Sequence, residues 1–197
     1  MIDDPGVMEL LETGGGRDDL LAARAGDEGA AHRLVGRHGA SMLRAARRVL
    51  GGVDPRDAED AVQEAFVASL VTEALPTGDP APWLRAIAVR KALDLARGRA
   101  RRREESLLPA EEGGPEPTVA PAAPGFVDAG MVRQALGRLQ AADRAILVLV
   151  DLEGFSMKEA AEMLGTNRVA ARVRAVRARR RLARLLGAVP ENGGKKK

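Results

Sequence analysis

Apolar residues recur three and four positions apart along most of the chain, and no convincing period-two run competes with them. From about Gly29 to Leu50 they fall at Ala31, Leu34, Val35, Met42, Leu43, Ala46, Val49 and Leu50, which predicts a helix weakened at Gly36 and Gly39. A shorter helix is predicted before it, capped by Asp18 or Asp19 and running to about Ala25, after a flexible leader over 1–16. Gly51-Gly52-Val53-Asp54-Pro55 breaks the pattern, with Asp54 as cap and Pro55 in the first turn of a helix over 55–71. One face of that helix holds Val62, Ala65, Phe66, Ser69 and Leu70, while Asp57, Glu59, Asp60 and Glu64 cover much of the rest. Residues 72–82 form a loop, and a long helix follows from about 81 to 103 with Trp83, Ile87, Ala88 and Leu95 as apolar content.

Residues 105–125 hold five of the eleven prolines and no helical period, so they read as a linker between 17–104 and 126–187. Beyond it the spacing predicts helices at about 127–138 and from Leu139 through Leu152. Ser156 and Glu159 then make an S-x-x-E capping box for a short helix over 157–164. Gly165-Thr166-Asn167 is a tight turn, and a basic helix runs from Arg168 to about Leu186. A short helix, a glycine turn and a longer helix is the helix-turn-helix pattern. The whole chain therefore reads as all-α: two small helical domains, the second with a helix-turn-helix, followed by a flexible basic tail over 188–197.

At 100° per residue, Ala171, Ala175, Ala178, Leu182 and Leu185 share one stripe of the basic helix and should face a core. Arg174, Arg177, Arg181 and Arg184 share a flank and are candidates for phosphate and base-edge contacts, Arg174 nearest the helix start. Val169, Val173 and Val176 lie opposite the alanines, where they meet DNA, are covered by a protein, or stay exposed.

Composition sharpens this picture. The set is rich in Ala, Leu and Val with 2% aromatics, which favours helix and thin, closely approached cores. The absence of Cys excludes disulfides, thiolate catalysis and cysteine zinc sites, and His32 and His38, six apart, predict no shared metal. No run approaches a membrane span and the first residues lack a basic-then-apolar order, so a cytoplasmic protein is expected. The net charge is only +3, yet Arg97, Arg99, Arg101, Arg102 and Arg103 form one basic cluster. Eight arginines in residues 168–184, with no acid among them, form a second. Two separated clusters suggest two contacts with a polyanion.

The stretch Asp57-Ala58-Glu59-Asp60-Ala61-Val62-Gln63-Glu64-Ala65-Phe66 resembles region 2 of the extracytoplasmic-function sigma factors of bacterial RNA polymerase. So does Trp83-Leu84-Arg85-Ala86-Ile87-Ala88 with Asp94 and Arg97, and Leu152 to Gly165 with Arg174 and 177–182 resembles region 4. The resemblance implies that Asp57, Asp60, Gln63, Glu64 and Phe66 meet core RNA polymerase. It implies that loop 72–82 and the following helix read and open the −10 element, with Arg85, Arg90, Arg97, Arg99, Arg101 and Arg102 toward promoter DNA. It implies that Thr166, Asn167, Arg168, Arg172, Val173, Arg174, Val176, Arg177, Arg181 and Arg184 contact the −35 element. An anti-sigma protein is an expected partner; no cofactor, metal or catalytic residue is expected. The chain departs from the family pattern at Arg90, where Asn is usual, at Val169-Ala170-Ala171 in place of Gly-Thr-Val, and at Ala175 in place of Leu. Two rival readings are a helix-turn-helix regulator that never binds core polymerase, which leaves the Asp57–Phe66 pattern unused, and an interaction protein that does not touch DNA.

Overall fold

The computed structural model describes residues 16–51, 55–73, 75–105 and 129–187, and every regular element among them is helical. Helix α1 covers 16–24, α2 Glu28–Leu50, α3 Pro55–Val71 and α4 Pro80–Glu105. The second half has α5 Ala129–Gly137, α6 Ala141–Leu147, a π-helical turn Val148–Leu152, α7 Met157–Met163 and α8 Arg168–Leu185. All of the expected leader over 1–16 except Gly16, the Asp54 cap, most of the linker and the basic tail lie outside the described residues.

Local chemistry sets the element ends. The Asp27 side chain accepts from Ala30 N at 2.9 Å and starts α2, and Gly51, at φ 71°, ends it by donating to Arg47 O. Two boundaries differ from expectation. Gly16 already belongs to α1, where it packs beside His38 and Pro80. Asp18 and Asp19 therefore lie inside the first turns rather than capping them, and Asp19 is buried and holds Arg33 and Arg37 at 2.8 and 3.3 Å. The helix predicted through Leu152 passes into the π turn after Leu147, with Glu153 N donating to Val148 O at 3.0 Å. Val148 and Leu149 stay in the core while Asp151 faces outward.

Helices α2, α3 and α4 pack on one another, with α1 across one end. A cluster of Leu20, Leu34, Met42, Ala65, Leu84 and Ala88 fills that end, flanked by half-buried Trp83, Phe66 and Leu70. Alanines at 45, 46, 58, 61, 86 and 92 let the three helices approach closely at the other end, where Val49, Val89 and Leu93 join them. That second cluster does not stop at the first half. It continues through Leu136, Leu139, Ile146, Val148 and Leu149 to Ala160, Ala171, Ala175 and Ala178, so the two halves share a core. Thin Ala-rich cores bury little surface alone, and joining them raises the buried fraction.

Arg144 sits at this junction and is buried. Its Nε donates to Val49 O at the end of α2 at 2.5 Å, and its Nη1 to Gly137 O at 3.0 Å and to Leu139 O. Among the described residues no carboxylate pairs with it; backbone carbonyls at the ends of α2 and α5 and in the α5–α6 connection take that role, and burial lowers its pKa. Gly51 leaves the space the guanidinium needs, because a Cβ there would lie 2.9 Å from Arg144 Cζ. Arg85 of α4 adds a second tie, to the carboxylate of Glu153, whose side chain is only 5% exposed.

Candidate nucleic-acid interface

The helix-turn-helix is built as its sequence predicts. Ser156 caps α7, with Glu159 N donating to Ser156 Oγ at 3.3 Å and Ser156 N to Glu159 Oε2 at 2.9 Å. Those hydrogen bonds hold the Glu159 carboxyl below the usual carboxylate range. Gly165, at φ 64°, turns the chain, and Asn167 Oδ1 caps α8 by accepting from Ala170 N at 2.8 Å. Thr166 is exposed beside it. Ala171, Ala175 and Ala178 are fully buried against α6 and α7, with Leu182 and Leu185 half-buried below them, so the alanine stripe sets the rotation of α8.

That rotation sorts the arginines. Arg174 Nη1 lies 3.4 Å from Asp143 of α6. Arg179 makes a two-pronged pair with Asp151, Nε to Oδ2 at 3.0 Å and Nη2 to Oδ1 at 2.6 Å, which raises its pKa. Arg168, Arg172, Arg177, Arg180, Arg181 and Arg184 are exposed and have no carboxylate partner among the described residues. Arg180 stands opposite the alanine stripe and belongs with the candidates; the helical wheel alone could have found it. Val169, Val173 and Val176 are exposed on the same outward side.

The first basic cluster behaves differently. Arg85 is turned to Glu153, Arg99 to the buried Asp57, and Arg97 lies 3.6 Å from Asp94. Arg90 is exposed, as are Arg101 and Arg102, whereas Arg103's side chain lies outside the described residues. Arg97 and Arg174 line the same cleft between α4 and the turn before α8, with Thr166 at its edge.

On α3, Asp60 and Gln63 are exposed, and Glu64 is 3.2 Å from Lys91. Asp57 is not on this face: it is buried, because Arg99 draws it toward α4. Phe66 is half-buried against the core. Val67 and Val71 continue the outward face at 63% and 75% exposed, which the sequence does not signal because valines at helical spacing look like core. Among the described residues no group of three or more His, Asp or Glu is placed to hold a metal ion, and no helix is long and apolar enough to cross a membrane.

The family model for Sigma-70 region 2 matches residues 34–102, which is all of α3 with most of α2 and α4. The model for Sigma-70, region 4 matches 129–182, from α5 through most of α8. The chain is 37% identical over 183 residues to the RNA polymerase sigma factor NccH of Alcaligenes xylosoxydans xylosoxydans, covering 86% of this chain and 94% of that one. It is 37% identical over 172 residues to the ECF RNA polymerase sigma factor SigM of Mycobacterium tuberculosis, covering 86% and 84%. The solved structure of CnrH in complex with the cytosolic domain of CnrY is similar at a TM-score of 0.55 and 30% identity, over 88% of this chain and 98% of that one. With both regions matched in order on one helical scaffold, the chain belongs to the extracytoplasmic-function type of sigma-70 family RNA polymerase sigma factors, which bind core RNA polymerase and recognise promoter elements.

Proposed function

We propose that this sigma factor divides its work between the outward face of α3 and the outward face of α8. Asp60, Gln63 and Glu64, with Val67 and Val71 beyond them, offer core polymerase an acidic patch that grades into an apolar one. A basic protein surface with an apolar border would complement it. On α4, Arg90, Arg97, Arg101 and Arg102 serve the −10 element; Arg85 and Arg99 act inside the protein through Glu153 and Asp57. Helix α8 enters the major groove at the −35 element. Arg177, Arg180, Arg181 and Arg184 take phosphates, and Thr166, Asn167, Arg168 and Arg172 lie near the helix start.

The observation that carries this reading is α8 itself: six arginines without carboxylate partners among the described residues, on a helix whose start is capped by Asn167. Six like charges on 17 residues repel one another, and a polyanion removes that cost. The proposed place of action is the cytoplasm, where core polymerase and promoter DNA meet. We also propose a regulatory partner of the anti-sigma kind, supported by the CnrH–CnrY complex. The test is transcription in vitro with core polymerase on fragmented genomic DNA. Selective transcripts above core alone, weakened by Asp60→Lys, are expected; none above core alone would refute the reading.

A further inference from the structure

Helix α8 divides along its length as well as around its girth. Its outward side begins with Val169, Val173 and Val176, exposed at 73%, 43% and 38%. It continues with Arg177, Arg180 and Arg184, all exposed. The three valines are spaced four and three residues apart, so they form one stripe opposite the buried Ala171, Ala175 and Ala178. No guanidinium occupies the centre of that N-terminal stripe. Arg174, which the sequence offers as a base reader, leans to Asp143 on the side of α8, and Asn167 spends Oδ1 on the cap. Arg168 and Arg172 lie along one flank of the valines.

A recognition helix presents its N-terminal part to the base edges and its later turns to the backbone. Here the base-facing part is apolar. In the major groove the apolar group is the C5-methyl of thymine; adenine, guanine and cytosine present donors and acceptors there. Valine against those polar edges would strip them of water without replacing the hydrogen bonds, which is unfavourable. Valine against a thymine methyl buries apolar surface on both sides. The stripe from Val169 to Val176 rises about 10.5 Å along the helix. That is about three base-pair steps at roughly 3.4 Å each.

We propose that Val169, Val173 and Val176 select thymine by its C5-methyl at up to three neighbouring positions of the −35 duplex, while Arg177, Arg180 and Arg184 seat the helix on phosphates. This rests on the reading of α8 as the −35 helix. The chemistry predicts a preference for thymine on the facing strand, with no guanine read by a two-pronged arginine at the same positions.

The test uses the full chain bound to core polymerase and duplexes selected from a library randomised over the −35 segment. Each thymine in the selected sequence is then replaced by deoxyuridine, which deletes only the methyl. The expected result is about fourfold weaker binding at one to three positions. At one of them V173S should already be weakened and insensitive to the replacement, and V176S likewise at a neighbour. Both valines are exposed, so these variants should fold. A selected sequence without thymine, deoxyuridine without effect at every position, or V173S as sensitive as wild type would overturn the proposal. So would V173S weakening assembly with core polymerase while leaving methyl sensitivity intact, since the stripe would then be a protein contact. The triple variant R177A/R180A/R184A separates the two levels. If it loses DNA binding while deoxyuridine is neutral, α8 still binds DNA and only methyl reading fails; if it binds as well as wild type, both readings fail.

Discussion

Helices α4 and α8 carry the two basic clusters of this chain, and they use their charge in opposite ways. On α4, Arg85, Lys91, Arg97 and Arg99 each have a carboxylate within ion-pair distance, three of them from other elements. On α8, among the described residues, only Arg174 and Arg179 do. Position in the packing explains the contrast. α4 lies between α2, α3 and the second half, so Asp57, Glu64 and Glu153 surround it. α8 lies on the rim with one face against the core, and among the described residues just two acids, Asp143 and Asp151, reach its edges. A count of arginines therefore overstates the cationic surface of α4 and describes that of α8 well.

The sharpest way to break this contrast is the salt dependence of promoter binding by the polymerase-bound protein. R177A/R180A/R184A should weaken binding on the order of a hundredfold and lower the salt slope by nearly three. R85A/R99A should leave the slope almost unchanged. Equal slopes for the two variants would mean that the ion pairs on α4 give way to DNA.

The next effect concerns the junction. Arg144→Met leaves the buried Val49 and Leu139 carbonyls without their donor and should cost about 3 kcal/mol in urea unfolding. Gly51→Ala forces a left-handed residue against the same guanidinium and should cost about 1–2 kcal/mol. If the halves depend on each other, both variants should also separate the unfolding of α1–α4 from that of α5–α8. A single unchanged transition in Arg144→Met would show that the junction carries little stability.

Smaller effects test the ion pairs directly. A double-mutant cycle on Asp57 and Arg99, which are 10% and 29% exposed, should give a coupling of about 1–2 kcal/mol. The more exposed Asp151–Arg179 pair should give about 0.5 kcal/mol. The smallest change expected is at His38, buried in α2 with no hydrogen-bond partner for Nε2 among the described residues. Burial pushes its pKa below the ordinary value near 6.5, with Arg37 and Arg85 lowering it further against the opposing pull of Asp79 and Asp19. The unfolded chain then takes up the proton more readily. Stability is therefore full above the ordinary value and is lost as pH falls from there toward the lowered folded value. His38→Gln should flatten the difference in urea midpoint between about pH 7.5 and about pH 5.5.

Local signals were enough for most of the fold. The Ser156–Glu159 box, the glycines at 51 and 165 and the alanine stripe of α8 each act within a few residues, and all stand where the pattern put them. The boundary at Gly16 and the π turn at Val148–Leu152 did not show, because long-range packing decides both. In the candidate surfaces, the outward positions of Asp60, Gln63, Val173, Val176 and Arg184 follow from helical spacing alone. The burial of Asp57, the turning inward of Arg85 and the pairing of Arg174 do not, since each depends on a carboxylate or guanidinium 31 to 68 residues away in the chain.

The sequence by itself determined that the chain is helical, where the helices cap, which face of α8 is buried and that its charge has no acid within the same helix. Periodicity and capping act over one or two turns, so they can be read along a line. Only the tertiary structure decided which arginines remain available, and that Arg144 joins the halves through backbone carbonyls. Ion pairs and buried hydrogen bonds depend on separations of a few ångströms between residues far apart in sequence, and no local pattern records those separations.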